Sequence, residues 1–393
     1  MPTISLSPAP KRSHYDAVIV GARCAGAATG LLLARSGARV LVVDRQAYGA
    51  DTMSTHAQMR GAVLQLKRWG LIPKIVAAGT PPIRSTTFHY GDEAISVEIK
   101  PDHGVDCLFA PRRTVIDPLL VDAACEAGAD VRHGIAVSGL QFAPGGRVIG
   151  VSLRDATGAC MSVRADIVVG ADGRQSTVAK LVNAPTYVEG YNAAAIVFGY
   201  YEGLNRDGLH WHFANNVAAG VIPTNAGHCV FTAIPARRFA ATYNGDVTRG
   251  FSQVLASNSA QLRTDVERAT LAGRLRVFGG ALSYLRQCQG PGWALVGDAG
   301  YFKDPLTAHG ITDALRDAEL LSRGIAAGSS AALEAYQRER DTLSLPFMRI
   351  TDAIASLAWS LDEVKQLHAE LSVAMKCEAS HIAKLSRLDT LAA

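Results

Sequence analysis

The sequence predicts an α/β fold: a mainly parallel sheet flanked by helices, an inserted and mostly antiparallel sheet, and a helical segment at the C-terminal end. Two observations predict the parallel sheet. Residues 15–20 form a short apolar, β-branched run that passes at once into Gly21 and an Ala-rich stretch, and a second such run follows at 39–43. That is a strand–turn–helix–strand unit of about 30 residues, which chain chirality makes a right-handed parallel crossover. Two further apolar runs, 166–170 and 293–296, are likewise followed directly by a Gly and Asp turn. The third observation predicts the insert. From about 183 to 277 the pattern changes to alternation (Ile196, Phe198, Tyr200), aromatics and turn pairs such as Asn244-Gly245, as half-buried antiparallel strands require.

The elements follow in order. The Ala-rich helix from 25 to 35 is ended by Gly37, and the second strand closes on Asp44-Arg45. Residues 61–69 read as a helix stopped by Gly70, and 83–99 as a strand pair about a Gly91-Asp92 turn. Residues 113–127 read as a helix with Ile116, Leu119, Leu120 and Ala123 on one face; 131–153 is strand-rich about Pro144-Gly145-Gly146. A helix is expected from about Ile311, and the remainder, to about Ser386, is read as helical with a break near Pro346. Within it, 355–376 is an amphipathic helix expected to cover the sheet or form a dimer contact. Residues 1–12 read as a disordered lead-in without the apolar core of a secretory signal.

Composition narrows the function. The net charge of +4 on 393 residues carries no like-charge block, which argues against nucleic acid as a partner. No run reaches the ~18 uncharged apolar residues of a membrane span. The seven cysteines lie singly and match no zinc spacing. No metal is expected, and a reduced, cytoplasmic setting is.

Three motifs carry the chemistry. In the first, Gly21-Ala22-Arg23-Cys24-Ala25-Gly26, a glycine turn leaves a strand and opens a helix, so that the helix N-terminus can receive a pyrophosphate. Gly21 permits the turn and Gly26 close helix–strand packing. Asp44 stands where an acid holds a ribose hydroxyl pair, with Arg45 beside it. Arg23 occupies the usual position of a middle glycine, so its side chain must turn away from the phosphates or reach over them. The second motif is Gly170-Ala171-Asp172-Gly173, and the third is Gly297-Asp298-Ala299-Gly300 with Pro305 and Gly310 downstream.

With these three in order, residues 15–345 resemble the flavoprotein hydroxylases of the para-hydroxybenzoate hydroxylase fold, a group that includes geranylgeranyl reductases and flavin halogenases. The resemblance implies a discontinuous, Rossmann-like FAD-binding domain of the GR2 type (1–80, 105–183 and 279–345), a substrate domain (81–104 and 184–278) and a C-terminal helical segment (346–393). It implies that FAD is held by Gly21, Ala25, Gly26, Asp44, Arg45, Asp172, Gly173 and Asp298. The Asp172-Gly173 pair would also serve NADH or NADPH, and Asp298 would lie on the ribityl and pyrophosphate portion. Arg113, with Arg112 as competitor, resembles the family's Arg before its second helix. Gly310 and Ile311 resemble the helix start facing the flavin ring. Ala308 and Thr312 depart from the hydroxylase pattern there, and Thr307-x-x-Gly310-Ile311 is closer to the reductases. The halogenase Trp-x-Trp-x-Ile-Pro segment has no counterpart; the nearest string is His210-Trp211-His212 with Ile222-Pro223 downstream.

On this resemblance the inserted sheet roofs the flavin. Met53, Phe198, Tyr200, His210, Trp211, Phe231 and Pro305 are the expected substrate contacts, and His309, His56 and His212 the expected catalytic residues. Alternation puts His210 and His212 on one strand face and Trp211 on the other, which also suits a solvated face with one core Trp. Three functions stay open: an NAD(P)H-using monooxygenase placing oxygen from O2 on an aromatic or polycyclic small molecule through a flavin C4a-hydroperoxide, a reductase of isoprenoid C=C bonds, or a non-catalytic flavin-binding protein. A monomer or homodimer is expected.

Overall fold

The computed structural model describes residues 10–243 and 245–385; Asn244 and most of the expected lead-in lie outside them. In chain order the strands and helices are β1 (His14–Val20), α1 (Cys24–Arg35), β2 (Val40–Asp44), α2 (Arg60–Arg68), α3 (Ile72–Ala77), β3 (Ser85–Tyr90), β4 (Glu93–Glu98), α4 (Arg113–Glu126), β5 (Asp130–His133), β6 (Ile135–Phe142), β7 (Val148–Asp155), β8 (Cys160–Gly170), α5 (Thr177–Leu181), β9 (Thr186–Glu189), β10 (Ala194–Glu202), β11 (Leu209–Ala214), β12 (Val217–Thr224) and β13 (Gly227–Pro235). There follow α6 (Phe239–Tyr243), α7 (Val247–Asn258), α8 (Ala260–Arg268), β14 (Thr270–Leu271), β15 (Arg276–Phe278), β16 (Tyr284–Arg286), β17 (Gln289–Gly290), β18 (Trp293–Leu295), β19 (Tyr301–Phe302), α9 (Gly310–Ala326), α10 (Ser330–Ala355) and α11 (Leu361–Lys384).

The first sheet runs β17-β18-β8-β1-β2-β5, with β7 joining β8 and β6 joining β7. Its centre is parallel: Val18 pairs with Leu41 on one side and Val168 on the other, and Val168 with Trp293. The second sheet runs β14-β10-β13-β12-β11-β3-β4, with β15 on β10. It is antiparallel except where β3 enters beside β11 in parallel, Thr86 opposite Leu209 and His89 opposite His212. A third, small sheet has the order β19-β16-β9.

Helix α1 is buried along nearly its whole length because its small residues admit close packing. A Cβ on Gly30 would stand 2.8 Å from Val42 Cγ2, and one on Gly26 only 1.8 Å from the Gly21 carbonyl oxygen. Neither position tolerates a side chain while the helix stays where it is.

Two expectations are corrected. The helix expected to break at Pro346 is continuous from Ser330 to Ala355. Pro inside a helix costs about 3 kcal/mol, but the turns beside it are anchored. Arg340 donates to the Gly300 and Arg286 carbonyls at 3.1 and 2.8 Å, and Ser344 accepts from Arg316 at 2.8 Å. The break falls at 356–360 instead, where Leu357 takes φ +51° and Ser360 opens α11 with a reciprocal Ser360–Glu363 cap. The insert also contains the helices α7 and α8. Their caps, Asp246 accepting from Arg249 N and Ser259 from Leu262 N, and their apolar stripe of Phe251, Val254, Leu255, Leu262 and Val266 cover the outer face of the second sheet.

Helix α11 packs on α2 and α10 and reaches the second sheet, where Tyr90 Oη and His368 Nδ1 lie 2.8 Å apart. Among the described residues no helix is long and apolar enough to cross a membrane.

Candidate active site

A cavity of about 840 Å³ opens where the central parallel strands end, the edge at which open α/β sheets bind ligands. It lies near the upper end of the range that cofactor pockets occupy, about 300–1,000 Å³. Strand β1 delivers Gly21, β2 delivers Asp44 and Arg45, β8 delivers Asp172 and Gly173, and the turn after β18 delivers Asp298. Ala25, Arg113, Gly310 and Ile311 also line it, as do Met53, His56, Phe198 and Pro305.

The residues fit the FAD that the resemblance implies. Gly21 takes φ +106°, and a Cβ there would lie 2.4 Å from the Ala171 carbonyl oxygen, so the turn closes only without a side chain. Helices α1 and α9 begin at the cavity with Arg23 and His309 at their caps, and neither side chain caps its helix. Their first N–H groups are therefore free to meet anionic ligand atoms. Asp44 is buried, with its carboxylate accepting from Ala22 N and Gln46 N at 2.8 Å each. Arg23 reaches sideways along the cavity wall, to Asp117 at 3.3 Å and the Ala50 carbonyl at 3.4 Å.

Asp117 gathers Arg113, Arg23 and Cys24. Arg113 Nε donates to it at 3.0 and 3.1 Å, and Cys24 Sγ at 3.1 Å. Burial pushes the Cys24 thiol well up, and Asp117 adds to that against the opposing guanidinium of Arg113, so the sulfur stays protonated. Between the two candidate arginines the structure discriminates. Arg113 lines the cavity. Arg112 pairs with Asp51 at 2.9 Å and lies 3.9 Å over the Tyr200 ring.

Asp172 faces the cavity but its carboxylate is engaged: Ser176 Oγ donates to it at 2.5 Å and Thr177 N at 2.6 Å, which fixes the start of α5. Burial pushes the pKa of Asp298 up, while Arg174, Arg113 and Lys303 pull it down. Lys303, which the sequence reading passed over, lines the cavity and pairs with Asp313. Its signal was a lysine inside the apolar stretch behind the third motif. Burial, then the charge of Arg316, lowers it to about 7.

His56 is buried at the cavity wall with φ +68°. Its Nε2 is hydrogen-bonded to the Tyr200 hydroxyl, and its Nδ1 has no partner among the described residues. Burial, reinforced by Arg113, Arg112 and Arg276, lowers its pKa to about 3. It is a neutral hydrogen-bonding group, a weak acceptor of a full proton.

The other expected catalytic histidines are not at the cavity. His309 is buried, with Nε2 2.7 Å from Glu378 and its ring stacked 4.4 Å from Phe347. Its backbone stands at the cavity while its imidazole turns into the packing of α10 and α11. His210 and His212 lie on the face of β11 opposite Trp211, beside His89 and away from the cavity-facing core. Trp211 and Phe231 share the cavity-side face with Phe198 but pack on each other, centroids 5.7 Å apart, behind the cavity wall. Tyr200 touches the site through His56, and Gly26 supports it from inside α1.

The buried neutral histidines set an acid limit. Burial lowers His368 to about 4 and His56 to about 3, both below the ordinary value of about 6.5. The unfolded chain therefore binds protons that the folded chain refuses. Their stability contribution is complete above about pH 6.5 and is lost as pH falls toward the folded values. Urea unfolding is expected to show stability falling from about pH 6.5, before ordinary carboxylates protonate, by up to about 1.4 kcal/mol per unit for His56. His56→Gln is expected to flatten that slope; an unchanged slope would mean the imidazole titrates normally.

Residues 14–349 match the family described as FAD binding domain. A digeranylgeranylglycerophospholipid reductase of Methanococcoides burtonii is 25% identical over 336 residues, 81% of this chain and 76% of that protein. The 6-methylpretetramide 4-monooxygenase of Streptomyces rimosus is 32% identical over 182 residues, 44% of this chain and 42% of that one. Among solved structures, the flavin-dependent brominase Bmp2 superposes with a TM-score of 0.79 at 19% identity, covering 92% of this chain and 93% of its own. PqsL of P. aeruginosa, in complex with 2-aminobenzoylacetate, gives 0.74 at 18%, covering 91% and 100%. These two likenesses concern the fold.

Proposed function

Since the chain belongs to the FAD binding domain family and is a FAD-dependent oxidoreductase, we propose that it is a monooxygenase. It takes electrons from NADH or NADPH and places one oxygen atom of O2 on a compact aromatic or polycyclic substrate. The observation that carries this reading is the aromatic end of the cavity. Phe198 and Ile196 of β10, Phe278 of β15 and Phe302 of β19 converge there with Pro305. Phe278 and Phe302 stand 6.5 Å apart in an edge-on arrangement, and the Arg174 guanidinium lies 4.9 and 5.1 Å from their centroids. Such walls suit a flat substrate and exclude water.

Bound FAD would supply the redox and oxygen chemistry. The chain's own residues do the rest. The N–H groups at the start of α9, where Gly310 and Ile311 line the cavity, would stabilise negative charge on a bound ring. Neutral His56, its Nε2 held by Tyr200, has Nδ1 left to hydrogen-bond a substrate hydroxyl. The test is NAD(P)H oxidation by the FAD-loaded protein under labelled O2 with a panel of phenols and polycyclic ketones. Expected are substrate-stimulated oxidation and a product heavier by one labelled oxygen. Uptake of hydrogen into substrate double bonds, without label, would overturn the reading.

That outcome belongs to a second reading, a reductase of isoprenoid C=C bonds. Two observations favour it: the Thr307-x-x-Gly310-Ile311 order, and the alignment with the reductase, which runs over 336 residues against 182 for the monooxygenase. It requires turnover under strictly anaerobic conditions.

A further inference from the structure

We propose that His89, His210 and His212 form a binding site for one borderline divalent cation, zinc or a similar first-row ion, on the outer face of the second sheet. The topology assembles it. His210 and His212 are two residues apart on β11 and so share a face, and the parallel register sets His89 of β3 directly opposite His212. One ring nitrogen from each of the three lies within 4.8 Å of the others. Zinc holds imidazole nitrogen at about 2.0–2.1 Å, which in a tetrahedral site puts ligand nitrogens about 3.3 Å apart. His89 Nε2 and His210 Nδ1, at 3.1 Å, already stand at that separation. His212, whose ring stacks on that of His89 with centroids 3.9 Å and planes 4° apart, brings in the third when its ring turns out of that stack.

The hydrogen bonds favour ligation. His210 Nε2 lies 3.0 Å from the Asp207 carbonyl, which can only accept. That nitrogen therefore carries the proton, and Nδ1 offers its lone pair toward His89. A backbone carbonyl behind a ligating imidazole is the usual device that fixes tautomer and orientation. His212 Nε2 is buried with no partner among the described residues, a position that is unfavourable unless something occupies it. Arg206, the cation whose charge acts on all three imidazoles, is paired with Asp265, and Asp207 adds an opposite charge beside His210. The second grouping of this kind, His309 with Asp313 and Glu378, differs. Arg316 bonds to both of its carboxylates and Lys303 pairs with Asp313, so cations of the chain already fill it.

Three neutral imidazoles leave a fourth position open to water, because His89 and His210 are half-exposed. The ion would cross-link β3 to β11, strands supplied by segments about 120 residues apart in sequence, and stabilise the sheet by linkage. Cysteine spacing could not reveal such a site.

The test uses untagged, FAD-loaded protein. Calorimetric titration with Zn2+ is expected to give one site per chain, and Co2+ visible bands of a four-coordinate ion to the red of the flavin. His89→Gln and His210→Gln, both half-exposed and away from the cavity, remove ligands and are expected to weaken Zn2+ binding by at least the roughly 10–100-fold that loss of an outer-shell partner alone costs, and to leave FAD content unchanged. No stoichiometric binding would overturn the proposal. So would binding that survives the double variant, which would place the ion elsewhere, for instance on the exposed thiols of Cys125, Cys160 and Cys377.

Discussion

Asp298→Ala is expected to strip the protein of most of its FAD. The aspartate stands in a single 3₁₀ turn, Gly297–Ala299, directly behind β18. The turn is fixed from outside: Tyr284 Oη donates to the Asp298 carbonyl at 2.6 Å, and the Gly297 Cα packs so close to Ala25 that a Cβ would stand 2.8 Å from it. The carboxylate thus meets the cavity at a set position, among Arg174, Arg113 and Lys303. On the family resemblance it would accept a hydrogen bond from a ribityl hydroxyl beside the pyrophosphate. A hydrogen bond to a charged group contributes about 1.5–3 kcal/mol, a factor of about 10–150 in affinity. Reconstitution of apoprotein followed by flavin fluorescence measures it. Asp298→Asn keeps an acceptor without the charge and is expected to fall between wild type and alanine. Wild-type affinity in the alanine variant would show that the carboxylate makes no contact with the cofactor.

Arg316→Met is expected to give the largest loss of stability. Arg316 is fully buried, yet its guanidinium donates to Asp317 at 2.7 and 2.9 Å, Asp313 at 3.0 Å, Glu378 at 2.8 Å and Ser344 at 2.8 Å. These partners come from α9, α10 and α11, so one side chain ties the C-terminal helices to the helix that opens at the cavity. Burial would raise Glu378, but His309, Arg316 and Lys303 outweigh it and hold the carboxylate below its usual range. Removing one partner of a buried ion group leaves the others charged and unsolvated, a loss of about 3–5 kcal/mol, or roughly 4–6 °C in Tm for a chain of this length. Thermal unfolding and limited proteolysis within 361–384 measure it. Asp317→Leu in the same background is expected to recover part of the loss, because among the described residues its carboxylate bonds only to Arg316 while Glu378 keeps His309, and an apolar pair of similar volume removes the stranded charge. A loss under about 1 kcal/mol in the single variant would mean that the carboxylates find water.

The parallel sheet and the cavity's glycine and aspartate corners were legible in the sequence because each is local. A buried strand, a turn that excludes a Cβ and a helix start occupy a few consecutive residues, as at Val20, Gly21 and Cys24. Alternation likewise gave the relative faces of His210, Trp211 and His212. Alternation cannot say which face meets the cavity, and packing decided it. The aromatic face turned to the core, and the histidines turned outward to meet His89, a residue of a different segment. The same holds for His309, whose place beside the cavity followed from its neighbours in sequence while its ring was drawn to Glu378, 69 residues on. It holds for Arg112 and Arg113, adjacent in sequence and separated by their partners Asp51 and Asp117, and for Pro346, whose helix is kept by bonds from Arg340 and Arg316. By itself the sequence determined where the backbone must turn tightly and where a cofactor's phosphates could approach, since those are demands on neighbouring residues. The tertiary structure alone decided where long side chains point, since that depends on charges and rings that the chain brings together from far apart.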